Sequence, residues 1–275
     1  AGAGAAGTGT YGNIAGFANL TGSFKMAKNI ITVGAADSFG LVAALSSKGP
    51  AHDGRIKPEL VAYGEDGSSG AAALVSGTSL LLQQAYKQLY GGMPPNALIK
   101  AVLLNSADDA GTAEVDYATG FGSLNALNAV QTIKASRFLG GTVINGGFQN
   151  YTLNIPAGIK RVKITLLWND PAAAPNAAKA LVNDLDLELA NTSTAEIWKP
   201  WVLNSFPHLD SLKQAATRKR DSLNNAEQVT LDNPVAGNYN LSVKGYQLST
   251  ASQSFYIAYQ LDSSQLFYWQ FPAGS

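Results

Sequence analysis

The segment at residues 29–64 reads NIITVGAADSFGLVAALSSKGPAHDGRIKPELVAYG. It is apolar at both ends, with glycine, proline and charged residues between them. Residues 28–35 (KNIITVGA) predict a buried β-strand, and residues 59–63 (ELVAY) predict a second, shorter strand. Strands that alternate with helices indicate an α/β layer structure, and the residues that follow supply the helices.

Three helices are predicted before residue 137. The first runs to Tyr90, and Gly91-Gly92 ends it. The residues that recur at helical spacing along it are Leu74, Val75, Thr78, Leu81, Leu82, Ala85 and Leu89. Pro94-Pro95 opens a second helix through Leu104, as proline does in a first helical turn. A third helix is predicted over residues 123–136.

The pattern changes after Arg137, because the helical period disappears and short alternating runs replace it. The runs are FQNYTLNI, RVKITLLW, DLDLELA, NYNLSVKG, SFYIAYQLD and QLFYWQF. Turn sequences such as Pro156-Ala157-Gly158 and Asn233-Pro234 separate them. Six or more short strands predict an all-β sandwich or jelly roll. The predicted domains are therefore residues 1–136 and residues 137–275.

Composition excludes several classes of protein. The 275 residues include 19 Lys+Arg, 19 Asp+Glu, two histidines and no cysteine. Zero net charge argues against nucleic acid as the main partner, and no apolar run reaches the ~20 residues of a membrane span. Without cysteine there is no disulfide, zinc-thiolate site or cysteine nucleophile, and two histidines are too few for a His-rich metal cage. The absence of cysteine with few charges favours a secreted, extracellular bacterial protein.

The motifs of residues 29–64 resemble those of the subtilisin-like serine proteases, the subtilases. That family carries a strand ending in V-G-A, then F-S-S-x-G-P, then D-G-R-x-K-P-D-V-x-A-P-G. The matching residues are Val33-Gly34-Ala35, residues 45–50 (LSSKGP) and residues 53–59 (DGRIKPE). Residues 119–126 (TGFGSLNA) resemble the closing G-x-G-x-V-N-A segment. The resemblance implies a subtilisin-like α/β fold, with its N-terminal part absent, and a serine endopeptidase activity.

Two serines compete for the position of the family nucleophile, which lies in G-T-S-x-A-x-P-x-V-A-G. Residues 77–79 spell G-T-S, but the residues after Ser79 do not continue the motif. Residues 67–77 (GSSGAAALVSG) match it without a gap, which puts Ser69 at the nucleophile position and Ala73 in the place of proline. A serine in the first turn of a helix lies beside free N–H groups and the positive end of the helix dipole. We therefore favour Ser69, although a serine there also serves as a helix cap.

The base and the orienting carboxylate of a serine protease are missing from this chain. In subtilases both come from the N-terminal half of the catalytic domain, and the motifs that carry them are not found in residues 1–275. His52 and His208 do not match catalytic positions and are predicted to be solvated loop residues. The oxyanion position falls on Ala5, where the family has asparagine, with Asn13 a distant second choice. This chain alone is therefore expected to be inactive.

Residues 137–275 resemble the P-domain-like β-barrel that follows the catalytic domain of some alkaline subtilases. The shared motifs are residues 166–170 (LLWND), 181–187 (LVNDLDL), 224–229 (NNAEQV) and 237–243 (GNYNLSV). Asp184 and Asp186 share one strand face, where two carboxylates repel unless a cation or donors satisfy them. With Asp170, and with Asn183, Asp221 or Glu227 from nearby loops, they predict a structural calcium site. A solvent-facing acidic strand is the equally weighted alternative.

Three functions remain open from the sequence. The first is a serine endopeptidase acting on a protein or peptide substrate, whose Asp and His come from an N-terminal segment outside this chain. The second is a catalytically degenerate subtilase that binds or scaffolds, as Ala5, Ala73 and the short loop between Gly64 and Gly67 suggest. The third is a carbohydrate- or surface-binding β-domain, which would need exposed aromatics such as Trp198, Trp201 and Trp269. The basic cluster within residues 213–220 is predicted to be a solvated face.

Overall fold

The computed structural model describes residues 11–12, 14, 16–20, 23–64 and 67–263. Its first part is a small α/β layer. Strands β1 (Val33–Ala36) and β2 (Leu60–Tyr63) are parallel, with Val33 opposite Leu60. Helices α1 (Ser68–Tyr90), α2 (Asn96–Ser106) and α3 (Ala126–Lys134) follow. A 3-10 turn at Ser23–Met26 precedes β1.

The first strand is shorter than the prediction of residues 28–35, because only its second half is buried. Ile30 is exposed, whereas Val33 and Ala35 are almost completely buried. Lys28 and Asn29 are instead used for side-chain contacts to the carboxylate and the backbone of Asp170. The apolar run therefore contains a loop that faces the second part of the molecule, followed by a strand of four residues.

The predicted C-terminal end of α1 is correct, whereas the predicted first residue of α3 is wrong. Gly91 ends α1 in the left-handed conformation, with φ 77° and its N–H on Lys87 O. Helix α3 begins three residues later than predicted, because Ser123 is engaged in bridges to Val61 and Asp108. The side chain of Asn125 then accepts from Asn128 N and caps the helix.

The second part consists mainly of antiparallel sheets. Its longer strands are β3 (Phe138–Val143), β4 (Phe148–Ile155), β5 (Ile159–Trp168), β6 (Asp184–Asn191), β10 (Ala226–Asp232), β11 (Gly237–Gln247) and β12 (Gln253–Ser263). The short elements are β7 (Ile197–Trp198), β8 (Trp201–Val202), α4 (Leu209–Leu212) and β9 (Thr217–Arg218). Four-stranded sheets form in the orders β10-β5-β12-β3 and β4-β11-β6-β7, and β8 pairs with β9. The predicted strand at residues 265–271 lies outside the described residues.

The two four-stranded sheets share one hydrophobic core. In β11, Tyr239, Leu241 and Val243 are buried while the residues between them are partly exposed. This period of two places one face of the strand against the other sheet. Side chains from both sheets meet in a single cluster that includes Ile164, Trp168, Leu187 and Phe255. The arrangement is a sandwich, and jelly-roll connectivity stays a prediction.

Helix α2 joins the two parts of the molecule. Nearly all of its residues are buried, because it lies between the α/β layer and the outer face of the β10-β5-β12-β3 sheet. A helix covered on all sides is expected to be largely apolar, and Leu98, Val102 and Leu103 of NALIKAVLLNS are all buried. The cluster around Leu103 also contains Leu167 and Ala258 of the sheet. The boundary after residue 136 stays a prediction, but the two parts share a hydrophobic core.

Polar contacts complete this shared interface. Lys163 reaches from β5 to Ala107 O, at 2.6 Å, beyond the end of α2. Thr165 donates to Asn105 Oδ1 at 3.0 Å, and both residues are completely buried. Among the described residues, no helix combines the length and the apolar content needed to cross a membrane.

Candidate active site

Ser69 is the second residue of α1, and its side chain is exposed. The residue before the helix is Gly67, with φ 87°, and this glycine has no side chain that could cap the first turn. The N–H groups of that turn therefore point outward with the positive end of the helix dipole. This is the setting in which a developing oxyanion is stabilised.

A tight turn fixes the start of α1 against the end of β1. Gly64 N donates to Ala36 O at 3.0 Å, and Gly67 N donates to Gly64 O at 2.9 Å. A Cβ on Gly64 would overlap Gly67 O and lie 3.1 Å from the Ala71 side chain. Glycine is thus required at residue 64, and the first turn of α1 is held at the carboxyl edge of the parallel strands.

An open cleft of about 380 Å³ lies at the same edge of the sheet. It is lined by residues that follow β1 and end β2, among them Asp37, Ser38 and Tyr63, together with Ser123. Ligands of parallel α/β sheets bind at the carboxyl ends of the strands. No motif predicts these lining residues as site residues, although Asp37, Ser38 and Tyr63 lie close behind the strand sequences VGA and LVA, which is a signal for the carboxyl ends of two strands.

Ser79 is in a different environment. It lies in the middle of α1, partly buried, and its hydroxyl donates to Val75 O at 2.8 Å. Thr78 makes the same bond to Leu74 O at 2.9 Å. A hydroxyl bonded back to its own helix is not presented to a substrate. Ser79 is therefore less accessible to a substrate than Ser69, and the assignment of the nucleophile stays a prediction.

Neither histidine contacts either serine in the described part of the chain. His52 is exposed on the turn between Ala51 and Arg55, and it lines a different cavity together with Lys28 and Asp170. His208 caps α4, accepts from Asp210 N at 3.3 Å and is 61% exposed in its side chain. Ala5 and Asn13, the two residues considered for the oxyanion position, lie outside the described residues.

The three aspartates predicted to bind calcium do not form one group. Asp170 is enclosed by Lys28 and by the N–H groups of Val182 and Asn183, at 2.8 and 2.7 Å. Asp184 and Asp186 both contact Arg220 instead. Within the described ranges, no three His, Asp or Glu residues are arranged to hold a metal ion. Calcium binding stays a prediction.

The Asp184 region is nevertheless electrostatically unusual. Burial raises the pKa of Asp184 to about 6, although Arg220 and Lys179 act in the opposite direction. Burial and the neighbouring charge of Asp221 raise the pKa of Glu227 well above its usual range. Buried carboxyl groups are thus concentrated next to β6, and the neighbouring cations do not offset the effect of burial on their pKa values.

The basic cluster and the tryptophans differ from their predictions. Arg218 stacks on Trp201, at 4.0 Å from the ring centroid, and Arg220 covers Tyr246, so these two arginines are not simply solvated. Trp201 Nε1 donates to Thr230 Oγ1, at 2.8 Å. Trp198 packs on a core tyrosine, and Trp269 lies outside the described residues. Trp198 and Trp201 therefore do not form a flat exposed platform.

Comparison with known proteins finds a family match for the first part of the chain. A sequence model of the subtilase family matches residues 11–122. Two similar proteins of Dictyostelium discoideum are the serine protease/ABC transporter B family proteins tagA and tagB. The first is 27% identical over 76% of this chain, and the second is 24% identical over 82%.

This chain spans only about 15% of the length of those relatives. Among solved structures, the prenylagaramide maturation protease PagA is 27% identical, with a TM-score of 0.34, over 39% of this chain and 43% of that protein. A TM-score of 0.34 is too low to establish a shared fold by itself. The family match, the curated relatives and the motifs agree with one another, and residues 11–122 of this chain are similar to the subtilase family.

Proposed function

We propose that this chain is part of a subtilisin-like serine endopeptidase in which Ser69 is the nucleophile. The observation that carries the proposal is the position of Ser69, exposed in the first turn of α1 at the carboxyl edge of β1 and β2. A subtilase match over residues 11–122 covers this position. The substrate is a protein or peptide whose scissile bond binds near the adjoining cleft.

Hydrolysis of a peptide bond by a serine nucleophile needs a base and an oxyanion-stabilising group besides the serine. The Ser69 hydroxyl oxygen attacks the carbonyl carbon, a base accepts the hydroxyl proton, and the oxyanion is stabilised by N–H groups. The first turn of α1 supplies such N–H groups. The base then returns the proton to the leaving amine, and water hydrolyses the acyl-enzyme. Neither His52 nor His208 is placed to act as that base.

The base and its orienting aspartate are proposed to come from a segment outside residues 1–275. The outer face of α1 supports this, since Leu74, Leu80 and Leu81 are between 48% and 63% exposed. Several exposed leucines on the same helix indicate a surface that contacts another part of the protein. The curated relatives are several times longer than this chain, which is consistent with a catalytic domain that extends beyond it.

We also propose a domain boundary after residue 136, jelly-roll connectivity of the β part, a structural calcium ion in that part, and secretion of the protein to the extracellular space. The resemblance of residues 137–275 to the P-domain-like barrels of alkaline subtilases supports them. The alternative function is a degenerate subtilase, which Ala73 in the place of the family proline favours.

Labelling with a fluorophosphonate probe tests the proposal. The protein is produced together with the natural sequence that precedes Ala1, as wild type and as the variants Ser69→Ala and Ser79→Ala. We expect covalent labelling of wild type and Ser79→Ala, and none of Ser69→Ala, because only the activated nucleophile attacks the probe. Cleavage of an unfolded protein substrate should follow the same pattern.

Two other outcomes of the labelling experiment would count against the proposal. Labelling that survives Ser69→Ala contradicts the assignment of the nucleophile. An extended wild-type protein that folds but is neither labelled nor active supports the degenerate alternative.

A further inference from the structure

A cavity of about 340 Å³ lies on the outer face of the β4-β11-β6-β7 sheet, and the proposed protease reaction does not use it. The strand register builds its floor. Phe148, Lys244 and Asp186 stand side by side on three neighbouring strands. Ser242 and Glu188 form the next row, because residues two apart on a strand share a face. We call the cavity above these five residues the sheet-face pocket.

The walls of the sheet-face pocket are held by specific contacts. Arg220 binds Asp184 and Asp186, and its guanidinium lies 3.5 Å from the ring centroid of Tyr246. Lys199 Nζ approaches Glu188 to 3.8 Å. The contacts of Arg220 fix the direction of its guanidinium group, as in a preformed ligand site.

One buried carboxyl group in the sheet-face pocket has an oxygen without a hydrogen-bond partner among the described residues. Glu227 is 1% exposed and lines the cavity. Its Oε2 accepts from Leu187 N at 2.7 Å, whereas Oε1 has no hydrogen-bond partner among the described residues. A buried carboxyl oxygen without a donor is unfavourable. A ligand hydroxyl at Oε1 would remove this penalty, because a hydroxyl can donate to a carboxylate or accept from a protonated carboxyl group.

The charges of the lining favour a neutral ligand. Three cationic and three carboxyl side chains face the cavity, namely Lys199, Arg220 and Lys244 with Asp186, Glu188 and Glu227. A metal ion or an anion would be repelled by half of these groups, and no metal-holding group exists in the described part of the chain. Hydroxyl groups donate to carboxylates and accept from ammonium and guanidinium groups.

The aromatic residue of the floor provides an apolar surface. Phe148 is 59% exposed, and Lys244 Nζ lies 5.2 Å from its ring centroid. The cavity is of the size that proteins use for small molecules. We propose that the sheet-face pocket binds a neutral mono- or disaccharide, with its hydroxyls on the charged side chains and a sugar face on Phe148.

Isothermal titration calorimetry of the whole chain tests this inference. The probes are glucose, maltose, cellobiose, lactose and N,N′-diacetylchitobiose, each at millimolar concentrations, with inorganic phosphate and calcium chloride as charged probes. We expect at least one saccharide to bind. Phe148→Ala should weaken its affinity about tenfold through loss of the apolar face, and Glu188→Gln should weaken it through loss of an acceptor.

The matched control is Phe206→Ala, which removes another exposed phenylalanine, 64% accessible and outside the cavity. Its affinity for the saccharide should equal that of wild type. The inference is overturned if no saccharide binds to the folded protein, if only phosphate or calcium binds, or if Phe148→Ala and Glu188→Gln leave saccharide affinity unchanged.

Discussion

Asp170 is the carboxylate through which the β part holds the segment before β1. One oxygen accepts from Lys28 and from Val182 N, and the other accepts from Asn183 N. The side chain is completely buried, and that of Lys28 is 8% exposed. Calcium binding at this residue stays a prediction, and the structure shows its carboxylate paired with a lysine from the α/β part.

Replacing Asp170 should destabilise the protein strongly. Asp170→Asn leaves the Lys28 ammonium buried without a counter-charge, so we expect the free energy of unfolding in urea to fall by about 3 kcal/mol. The control is Asp210→Asn, where the side chain is 83% exposed and little change is expected. A loss for Asp170→Asn no larger than that of the control would contradict this reading of the contact.

Asp184 should make stability depend on pH. Burial raises its pKa from 3.8 to about 6, so between these values the folded state binds more protons than the unfolded state. Stability from this group is therefore present at low pH and is lost as pH rises toward about 6. The pKa difference corresponds to about 3 kcal/mol.

Thermal or urea unfolding between about pH 4 and pH 7 measures this effect. Asp184→Asn removes the titrating group, so its stability should fall less over this interval than that of wild type, with Asp210→Asn again behaving as wild type. Parallel pH profiles for wild type and Asp184→Asn would show that the buried carboxyl does not titrate in this range.

At the scale of the element, the end of α1 follows from one glycine. Gly91 has φ 77°, and a Cβ at this position would meet no atom within 4 Å, so only the backbone conformation disfavours a side chain. Gly91→Ala should lower the free energy of unfolding by about 1 kcal/mol. Gly92→Ala has equally open space without the positive φ and should be close to neutral. Equal effects of the two substitutions would contradict the role of the left-handed cap.

Sequence patterns are enough to predict the secondary-structure elements that depend only on residues close together in the chain. The glycine stop after Tyr90 and the strand at Phe148–Ile155 were both predicted in place. The start of β1 and the start of α3 were predicted too early, because Lys28, Asn29 and Ser123 are used in contacts with residues distant in the sequence. Periodicity carries no information about such partners.

The same limit applies to the candidate sites. Motif order and helix position predict Ser69 as the nucleophile position, and this assignment stays a prediction for a residue in the first turn of α1. The cleft with Asp37, Tyr63 and Ser123 depends on how three segments meet. The sheet-face pocket depends on strand register, and Arg220 in it was interpreted only as part of a solvated cluster.

At the scale of the whole molecule, the shared core predicts cooperative unfolding. Helix α2 belongs to the α/β part by sequence, yet Leu103 and Leu104 lie in one cluster with Leu167 and Ala258 of the sheet. All four tryptophans lie after residue 167, whereas the three long helices lie before residue 135. Tryptophan fluorescence and helical circular dichroism should therefore report a single urea midpoint. Two separate midpoints would show that the parts unfold independently.

The central claim is that the first turn of α1 presents residue 69 to substrate beside an anion-stabilising helix start. The chain has no cysteine, so Ser69→Cys and Ser79→Cys each introduce a single thiol whose alkylation by iodoacetamide can be followed against pH. We predict a thiol pKa below the usual ~8.5 for Ser69→Cys, and a reaction at least about tenfold slower at neutral pH for Ser79→Cys, which is partly buried in mid-helix. Faster alkylation of Ser79→Cys, or a thiol pKa in Ser69→Cys that is not lowered, would contradict the claim.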